Sequence, residues 1–187
     1  MILFIHINCS LRYIEGVNRM NISITKAIPD DAEEIINFLK IVGGETDNLT
    51  FGSEGLPIST EDERNYIESL KESTSSVIFI AKKHGKIVGN ASFNRMTRKR
   101  MKHRGELGIS VIKAEWGQGI GSMLLQSVID FAKNTAHADI ISLEVRSDNT
   151  RAISLYKKYG FEKIGQFKGF FKIDGEYIDF DLMNLYL

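Results

Sequence analysis

Three glycines at alternate positions form the stretch of this chain whose chemistry is easiest to interpret. Gly117, Gly119 and Gly121 lie where an apolar segment that predicts a strand gives way to a segment that predicts a helix. The first amides of a helix have no partner within it, and the helix dipole adds partial positive charge there. Because glycine has no Cβ, an anion can approach such a backbone closely. The spacing therefore predicts a phosphate-binding turn.

Two common nucleotide-binding patterns fit this turn poorly. A mononucleotide P-loop requires Lys followed by Ser or Thr after its last glycine, but Ser122 and Met123 follow Gly121. A dinucleotide fingerprint, G-x-G-x-x-G, requires a third glycine where the sequence has Ser122 or Leu124. A nucleotide-binding oxidoreductase is therefore a weaker alternative, and it predicts NAD binding.

A second group of side chains suited to chemistry follows the glycine turn. The strand predicted at 140–146 places Leu143 and Val145 on one face and Glu144 on the other. A carboxylate on a sheet that is covered on both faces is partly desolvated, which raises its pKa and suits it to act as a base. The next predicted helix begins at Asn149 and contains Tyr156.

The elements that must hold these groups follow from the periodicity of the chain. It predicts the order strand, two helices, three strands, helix, strand, helix, two strands. The glycine turn lies in a strand–helix–strand unit, so its two strands are predicted to be parallel. The first helix is predicted to end at Gly43-Gly44, and Thr60 is predicted to cap the second.

Both motifs and the element order resemble the GNAT superfamily of N-acetyltransferases. Its pyrophosphate loop has Gln or Arg, two residues, Gly, one residue, then Gly or Ala, and the run from Trp116 to Gly121 is similar, with Trp in the Gln or Arg position. A second GNAT motif is matched by Asn149, Ala152, Leu155-Tyr156 and Gly160-Phe161.

The resemblance covers about residues 21–187. It implies an α/β GNAT fold, with a mixed, mostly antiparallel sheet, a central parallel strand pair and helices on both faces. Residues 1–20 are then an N-terminal extension of unknown role, or an added edge strand.

The same resemblance implies acetyl-CoA as the cosubstrate. Pantetheine amides would pair with the strand backbone at Ile109, Ser110 and Val111, and Asn149 would hold the cofactor from the helix cap. The pyrophosphate would lie on the turn formed by Gly117, Gln118, Gly119, Ile120, Gly121 and Ser122.

The implied reaction is acetyl transfer to a primary amine by direct attack in a ternary complex. A lysine-like amine with a pKa near 10.4 is neutral only about once in two thousand molecules at pH 7, so a base helps. The resemblance implies Tyr156 as the acid that protonates the leaving thiolate. Because LEVRSDN resembles ribosomal-protein N-terminal acetyltransferases, Glu144 is the candidate base. Glu106, acting through a water, is the competitor, and neither alone is the third option.

The acceptor is left open between a polyamine, another small amine and a protein or peptide N-terminus. In GNAT folds the first two helices and their loop line the acceptor side, and acidic residues there suggest a cationic acceptor, although we favour solvated acids at helix starts as their explanation. These residues are Glu33, Glu34, Glu45, Asp47, Glu54, Glu61, Asp62 and Glu63. The alternative function is a CoA-binding sensor or structural domain without catalysis.

Composition excludes several other classes. The formal net charge is +0, which argues against a nucleic-acid partner. No apolar run is long enough to cross a membrane, and the run at 2–7 is too short for a secretory signal. The histidines lack the spacing of a metal site. Cys9 is the single cysteine, which is consistent with a cytoplasmic location. The sequence leaves a homodimer open.

Overall fold

The computed structural model describes residues 22–187. Along this part of the chain, four α-helices and seven strands follow one another in the order predicted from the sequence. The strands are β1 (Ile22–Lys26), β2 (Ser76–Lys83), β3 (Lys86–Arg95), β4 (Arg104–Val111), β5 (Ile140–Arg146), β6 (Glu162–Ile173) and β7 (Glu176–Tyr186). The helices are α1 (Ala32–Glu45), α2 (Thr60–Leu70), α3 (Ile120–Asn134) and α4 (Thr150–Lys158).

All of these strands join one sheet, in the order β1-β2-β3-β4-β5-β7-β6. Each neighbouring pair is antiparallel except β4 and β5, which are parallel. The helix α3 provides the long connection that a parallel pair requires. The predicted mixed sheet with a central parallel pair is therefore confirmed.

Helices cover both faces of this sheet. Successive strand residues point to opposite faces, so each face contributes side chains to a core of its own. Val77 and Ala81 of β2 point into a core that α3 completes, and α4 adds Tyr156 to the same core. Ile78 and Ile80 point the opposite way, into a second core built with α1 and α2. The sheet is thus held between two helical layers, and the site lies where these layers meet its central strands.

The end of α1 differs from the sequence prediction. The helix continues through Gly43-Gly44 to Glu45. Gly43 is buried, and a Cβ at this position would collide with the carbonyl oxygen of Gly52. The glycine therefore serves the close approach of the following loop and does not end the helix.

The start of α2 is also one residue away from its prediction. Ser59, not Thr60, is the N-cap, because the Ser59 Oγ accepts a hydrogen bond from the Asp62 amide at 3.0 Å. Either residue type can cap a helix, so composition alone did not distinguish the two positions.

The basic segment at 95–104 connects β3 and β4. Arg95 belongs to β3, and its guanidinium donates to the Ala136 carbonyl at 2.6 Å. Arg104 belongs to β4 and donates to the Ser142 Oγ, also at 2.6 Å. The two end arginines therefore hold this connection against neighbouring elements.

Within residues 22–187, no helix combines the length and apolar character needed to cross a bilayer. The same residues contain no group of three or more His, Cys, Asp or Glu that could hold a metal ion. The predictions for the extension at 1–20, for Cys9 and for a strand start at Asn21 lie outside the described residues.

Candidate active site

The site is opened by the separation of the two parallel strands. Residues 104–106 of β4 pair with residues 140–142 of β5. Beyond Glu106, β4 continues to Val111 against β3 alone, and beyond Ser142, β5 continues against β7 alone. The carboxyl ends of the two strands therefore have free inner edges, which is where open sheets bind ligands.

Two adjoining cavities occupy this region. The first cavity, about 800 Å³, lies between the end of β4, the turn into α3 and the start of α4. The second cavity, about 440 Å³, lies between α1, α2, the loop that joins them and the β6–β7 hairpin. Ser110, Asn149 and Tyr156 line both cavities. A molecule bound in the first can therefore meet a molecule bound in the second beside these residues.

The glycine turn presents unused amides to the first cavity. Gly117 and Gly119 have φ angles of +81° and +83°, and a Cβ added at either position would meet no described atom within 4 Å. Gly119 is the N-cap of α3, and no side chain caps this helix. The first amides of α3 are therefore left for a ligand, with the positive end of the helix dipole behind them.

Side chains outside the turn hold it in place. Lys83 of β2 forms an ion pair with Glu115 at 2.7 Å and donates to the Gln118 Oε1 at 3.2 Å. At its other end, the Lys113 amide donates to the Glu45 Oε2 at 2.6 Å. The turn is thus tied to the end of β2 and to the end of α1.

Trp116, which stands at the position of Gln or Arg in the GNAT pattern, makes two contacts of its own. Its indole N–H donates to the Val111 carbonyl at 2.7 Å. The Arg151 guanidinium lies over the indole ring, 4.8 Å from its centroid, which is a cation–π geometry. Arg151 lines the first cavity, so the stacked ring holds a cation beside the glycine turn.

Tyr156 lies at the junction of the two cavities. Its residue is 6% exposed, and its ring packs against Phe161 with centroids 5.6 Å apart. Burial raises the pKa of the Tyr156 hydroxyl well above its usual range, so the group keeps its proton at neutral pH. Asn149 caps the same helix, since its side-chain oxygen accepts from the Ala152 amide at 3.2 Å.

Polar residues on one face of the sheet form the floor of the second cavity. Asn90, Ser92 and Asn94 alternate along β3 with residues of the opposite face, and all three line this cavity. Glu144 of β5 lines it as well. This face of the sheet is therefore polar where it lines the second cavity.

The two candidate bases lie on the same face of the sheet. Glu106 pairs in register with Ser142, two residues before Glu144 on β5. Partial burial raises the pKa of Glu144, and the charge of Glu106 raises it further, while Arg104 lowers it to a smaller extent. The direction agrees with the sequence prediction, although the Glu144 side chain still reaches solvent.

The structure sorts the predicted site residues by location. Gln118 lines neither cavity, because its side chain turns to Lys83, and Glu106 also lines neither. Glu144 lines the second cavity, and Tyr156 lines both. The first cavity is lined by Ile109, Ser110, Val111, Gly117, Gly119, Ile120, Gly121, Ser122 and Asn149.

Sequence reasoning assigned no role in the site to Arg146, which lines both cavities, or to Arg151. It treated Glu63 as one acid among several in the first turn of α2, although this residue is buried against the second cavity. The order of residues gives no signal for that burial, because it depends on how α2 packs on the sheet.

Comparisons with known proteins agree with this geometry. Residues 46–161 match the model of the acetyltransferase (GNAT) family. The L-amino acid N-acetyltransferase AaaT of Escherichia coli is 37% identical over 95 residues, which are 51% of this chain and 59% of AaaT. The matched region thus spans less than two thirds of the first curated relatives.

Two solved structures share the fold. An acetyltransferase of the GNAT family from Streptococcus pneumoniae superposes with a TM-score of 0.86 and 31% identity, covering 89% of this chain and 100% of that chain. The protein yncA from Salmonella typhimurium, solved with its cofactor acetyl-CoA, gives a TM-score of 0.77 at 21% identity, covering 89% and 94%.

Proposed function

The chain belongs to the GNAT acetyltransferase family, and from this premise we propose that it transfers an acetyl group from acetyl-CoA to a primary amine. The single observation that carries the proposal is the junction of the two cavities at Tyr156. One cavity offers unused helix amides for a phosphate, and the other offers carboxylates for an amine. Tyr156 lies where the two bound molecules would react.

The residues of the first cavity suit the phosphate and pantetheine groups of acetyl-CoA. Positive φ angles at Gly117 and Gly119 leave open space in front of the α3 amides, where a pyrophosphate fits. Arg151, held over Trp116, supplies a cation next to that position. The free edge of β4 at Ile109–Val111 offers backbone groups to the pantetheine amides, although the Val111 carbonyl already accepts from Trp116.

Two side chains transfer a proton in this reaction, one as acceptor and one as donor. Acetyl-CoA supplies the thioester, whose carbonyl carbon the neutral amine attacks. Glu144, directly or through a water, takes the proton that the amine loses, and its raised pKa suits this task. As the carbon–sulfur bond breaks, the Tyr156 hydroxyl donates its proton to the sulfur. Glu106 does not line the cavities and acts through its charge on Glu144.

A release assay tests this function directly. Purified protein is mixed with acetyl-CoA and a panel of amines, which includes amino acids, diamines and short peptides, and the free thiol is measured. We expect thiol release that depends on both the amine and the protein. Binding of acetyl-CoA without thiol release for any amine would indicate a CoA-binding domain without catalysis.

A further inference from the structure

Glu63 differs from the other acids in the first turn of α2. Its residue is 6% exposed, whereas the Glu61 side chain is 69% exposed. The cap of the helix does not use Glu63, because Ser59 and Asp62 cap it by exchanging hydrogen bonds at 3.0 and 2.7 Å. Glu63 therefore has no part in the role that acidic residues commonly play at a helix start.

The Glu63 carboxylate also lacks a partner within residues 22–187. No hydrogen bond or ion pair to this carboxylate is formed there, although Glu63 lines the second cavity. Burial raises its pKa, and its charge in turn contributes to raising the pKa of nearby Tyr66. The Glu63 oxygens are not among the fully buried polar atoms without a partner, so they still reach the cavity, where a bound group of opposite charge would stabilise this partly desolvated carboxylate.

The other charges of the second cavity also favour a cation. Two carboxylates line it, those of Glu63 and Glu144, and Arg146 is its one cationic lining residue among those described. Arg146 is engaged with Asp148, at 2.7 Å from Nε and 3.0 Å from Nη2. The cavity thus has negative charge in excess.

Aromatic rings line the side of the cavity formed by the β6–β7 hairpin. Phe170 and Phe171 lie with centroids 5.3 Å apart, and each lies within 5 Å of the Phe180 ring. Aromatic faces attract cations, and their apolar surface also suits a methylene chain. A flexible amine with charge at both ends matches this lining.

Resting on the proposed function, we infer that the acceptor carries a second cationic group and that Glu63 binds it. Tyr156 lines both cavities and marks the reacting end of the acceptor. Glu63 lines the second cavity alone and marks the remote end. Glu63 is therefore a specificity-determining residue, whereas Glu144 serves the amine that is acetylated.

The test compares acceptors that differ in one charge. In 1,4-diaminobutane, a second ammonium group replaces the terminal methyl group of 1-aminopentane. We expect the wild-type protein to prefer the diamine in kcat/KM. In Glu63→Gln, this preference falls on the order of 10- to 100-fold through KM, the range of a charged hydrogen bond, because kcat/KM falls much more for the diamine than for the monoamine. Glu61→Gln removes the same charge from the exposed side of the turn and retains the preference.

A second experiment determines whether the cationic group belongs to a peptide or to a small molecule. The peptides Ala-Lys-Ala and Ala-Met-Ala present the same N-terminal amine with and without a nearby cation. A Glu63-dependent preference for the lysine peptide indicates a peptide acceptor, and one confined to diamines indicates a small molecule. Either result supports the inference.

The results that would overturn this inference differ from the result that would overturn the proposed function. Equal kcat/KM for charged and uncharged partners in wild-type protein would overturn the inference and leave the acetyltransferase function intact. An equal loss in Glu63→Gln for the diamine and the monoamine would also overturn it. Absence of thiol release with every amine would overturn the proposed function itself.

Discussion

The glycine turn of the first cavity offers backbone amides, whereas the second cavity is built from side chains that are distant in sequence. The proposed phosphate-binding part of the first cavity is one continuous turn, 117–122, in which Gly117 and Gly119 adopt positive φ angles. The second combines α1, α2, their connecting loop, the strands β2 to β5, the β6–β7 hairpin and α4 with its cap. A backbone site leaves a short pattern in the sequence, and a side-chain site assembled from many elements does not.

The largest expected effect arises where the two cavities meet. Tyr156→Phe keeps the buried ring and its packing on Phe161 but removes the proton donor. We expect kcat to fall on the order of 100-fold or more, with the Kd for acetyl-CoA nearly unchanged. Stopped-flow thiol release and calorimetric titration measure the two quantities.

Tyr159→Phe, at the C-cap of the same helix, is the matched control. It removes only the hydroxyl that donates to the Ser122 carbonyl at 3.0 Å. We expect its kcat to stay within a few-fold of wild type. An unaltered kcat in Tyr156→Phe would exclude Tyr156 as the acid.

The next largest effect is on acetyl-CoA binding, and it distinguishes a role of the turn amides from backbone strain alone. Gly119→Ala forces a residue with a Cβ to a φ of +83°, so the turn relaxes and its amides lose their alignment. We expect acetyl-CoA binding to weaken on the order of 10- to 100-fold. Gly85→Ala meets a similar φ, +79°, in the β2–β3 turn.

Both alanine variants should lose similar stability, about 1–2 kcal/mol for a left-handed residue with a Cβ. Thermal unfolding measures that loss, and calorimetry measures acetyl-CoA binding. Gly85→Ala should bind acetyl-CoA as wild type does. If Gly119→Ala binds equally well, the amides of this turn do not hold the cofactor.

A smaller expected effect is on the pH dependence of activity, through the carboxylates of Glu106 and Glu144 on the sheet. A base must be deprotonated to accept a proton, so activity falls as pH drops through the pKa of Glu144, which partial burial and Glu106 raise. Glu106→Gln removes the neighbouring charge and lowers that pKa, so the acid limb of the kcat/KM profile moves to lower pH. Glu144→Gln removes the limb.

The pH–rate profiles of wild type and both variants check this assignment. A limb that disappears in Glu106→Gln and persists in Glu144→Gln would make Glu106 the base. A limb that persists in both would mean that neither carboxylate acts alone.

The smallest expected effect is on the thermal stability of the protein, through Glu63 in the second cavity. Burial raises the folded-state pKa of Glu63, so its contribution to stability is fully present below the unfolded pKa and is lost as pH rises through the folded pKa. Glu63→Gln resembles the protonated form. We expect its Tm to exceed that of wild type by a few degrees near neutral pH, with the difference vanishing near pH 4. A lower Tm at neutral pH would show that the carboxylate has a stabilising partner.

The sequence predicted most of the fold and singled out some of the residues that line the two cavities, for reasons that individual residues show. The alternation in 140–146 predicted β5 with the bounds observed, because a half-buried strand has a strict period of two. The end of α1 was predicted wrongly, since Gly43 is needed for contact with Gly52 and not for a cap. That contact joins residues of two different elements, and no local pattern encodes it.

The same limit explains why the sequence singled out Glu144 as a site residue and did not distinguish Glu63. Glu144 was selected because alternation places it opposite Leu143 and Val145 and because the segment around it resembles a known motif, and both arguments are local. Glu63 is buried by the packing of α2 over the polar face of the sheet, which is a tertiary effect. Residues placed by backbone periodicity are therefore predictable from the sequence, and residues placed by packing between elements require the structure.

The most direct measurement is a crystal structure of the protein with CoA. We expect diphosphate oxygens within hydrogen-bonding distance of the amides at 117–122, and the CoA sulfur next to the Tyr156 hydroxyl. Density for CoA elsewhere on the protein, or failure of CoA to bind at all, would contradict the account.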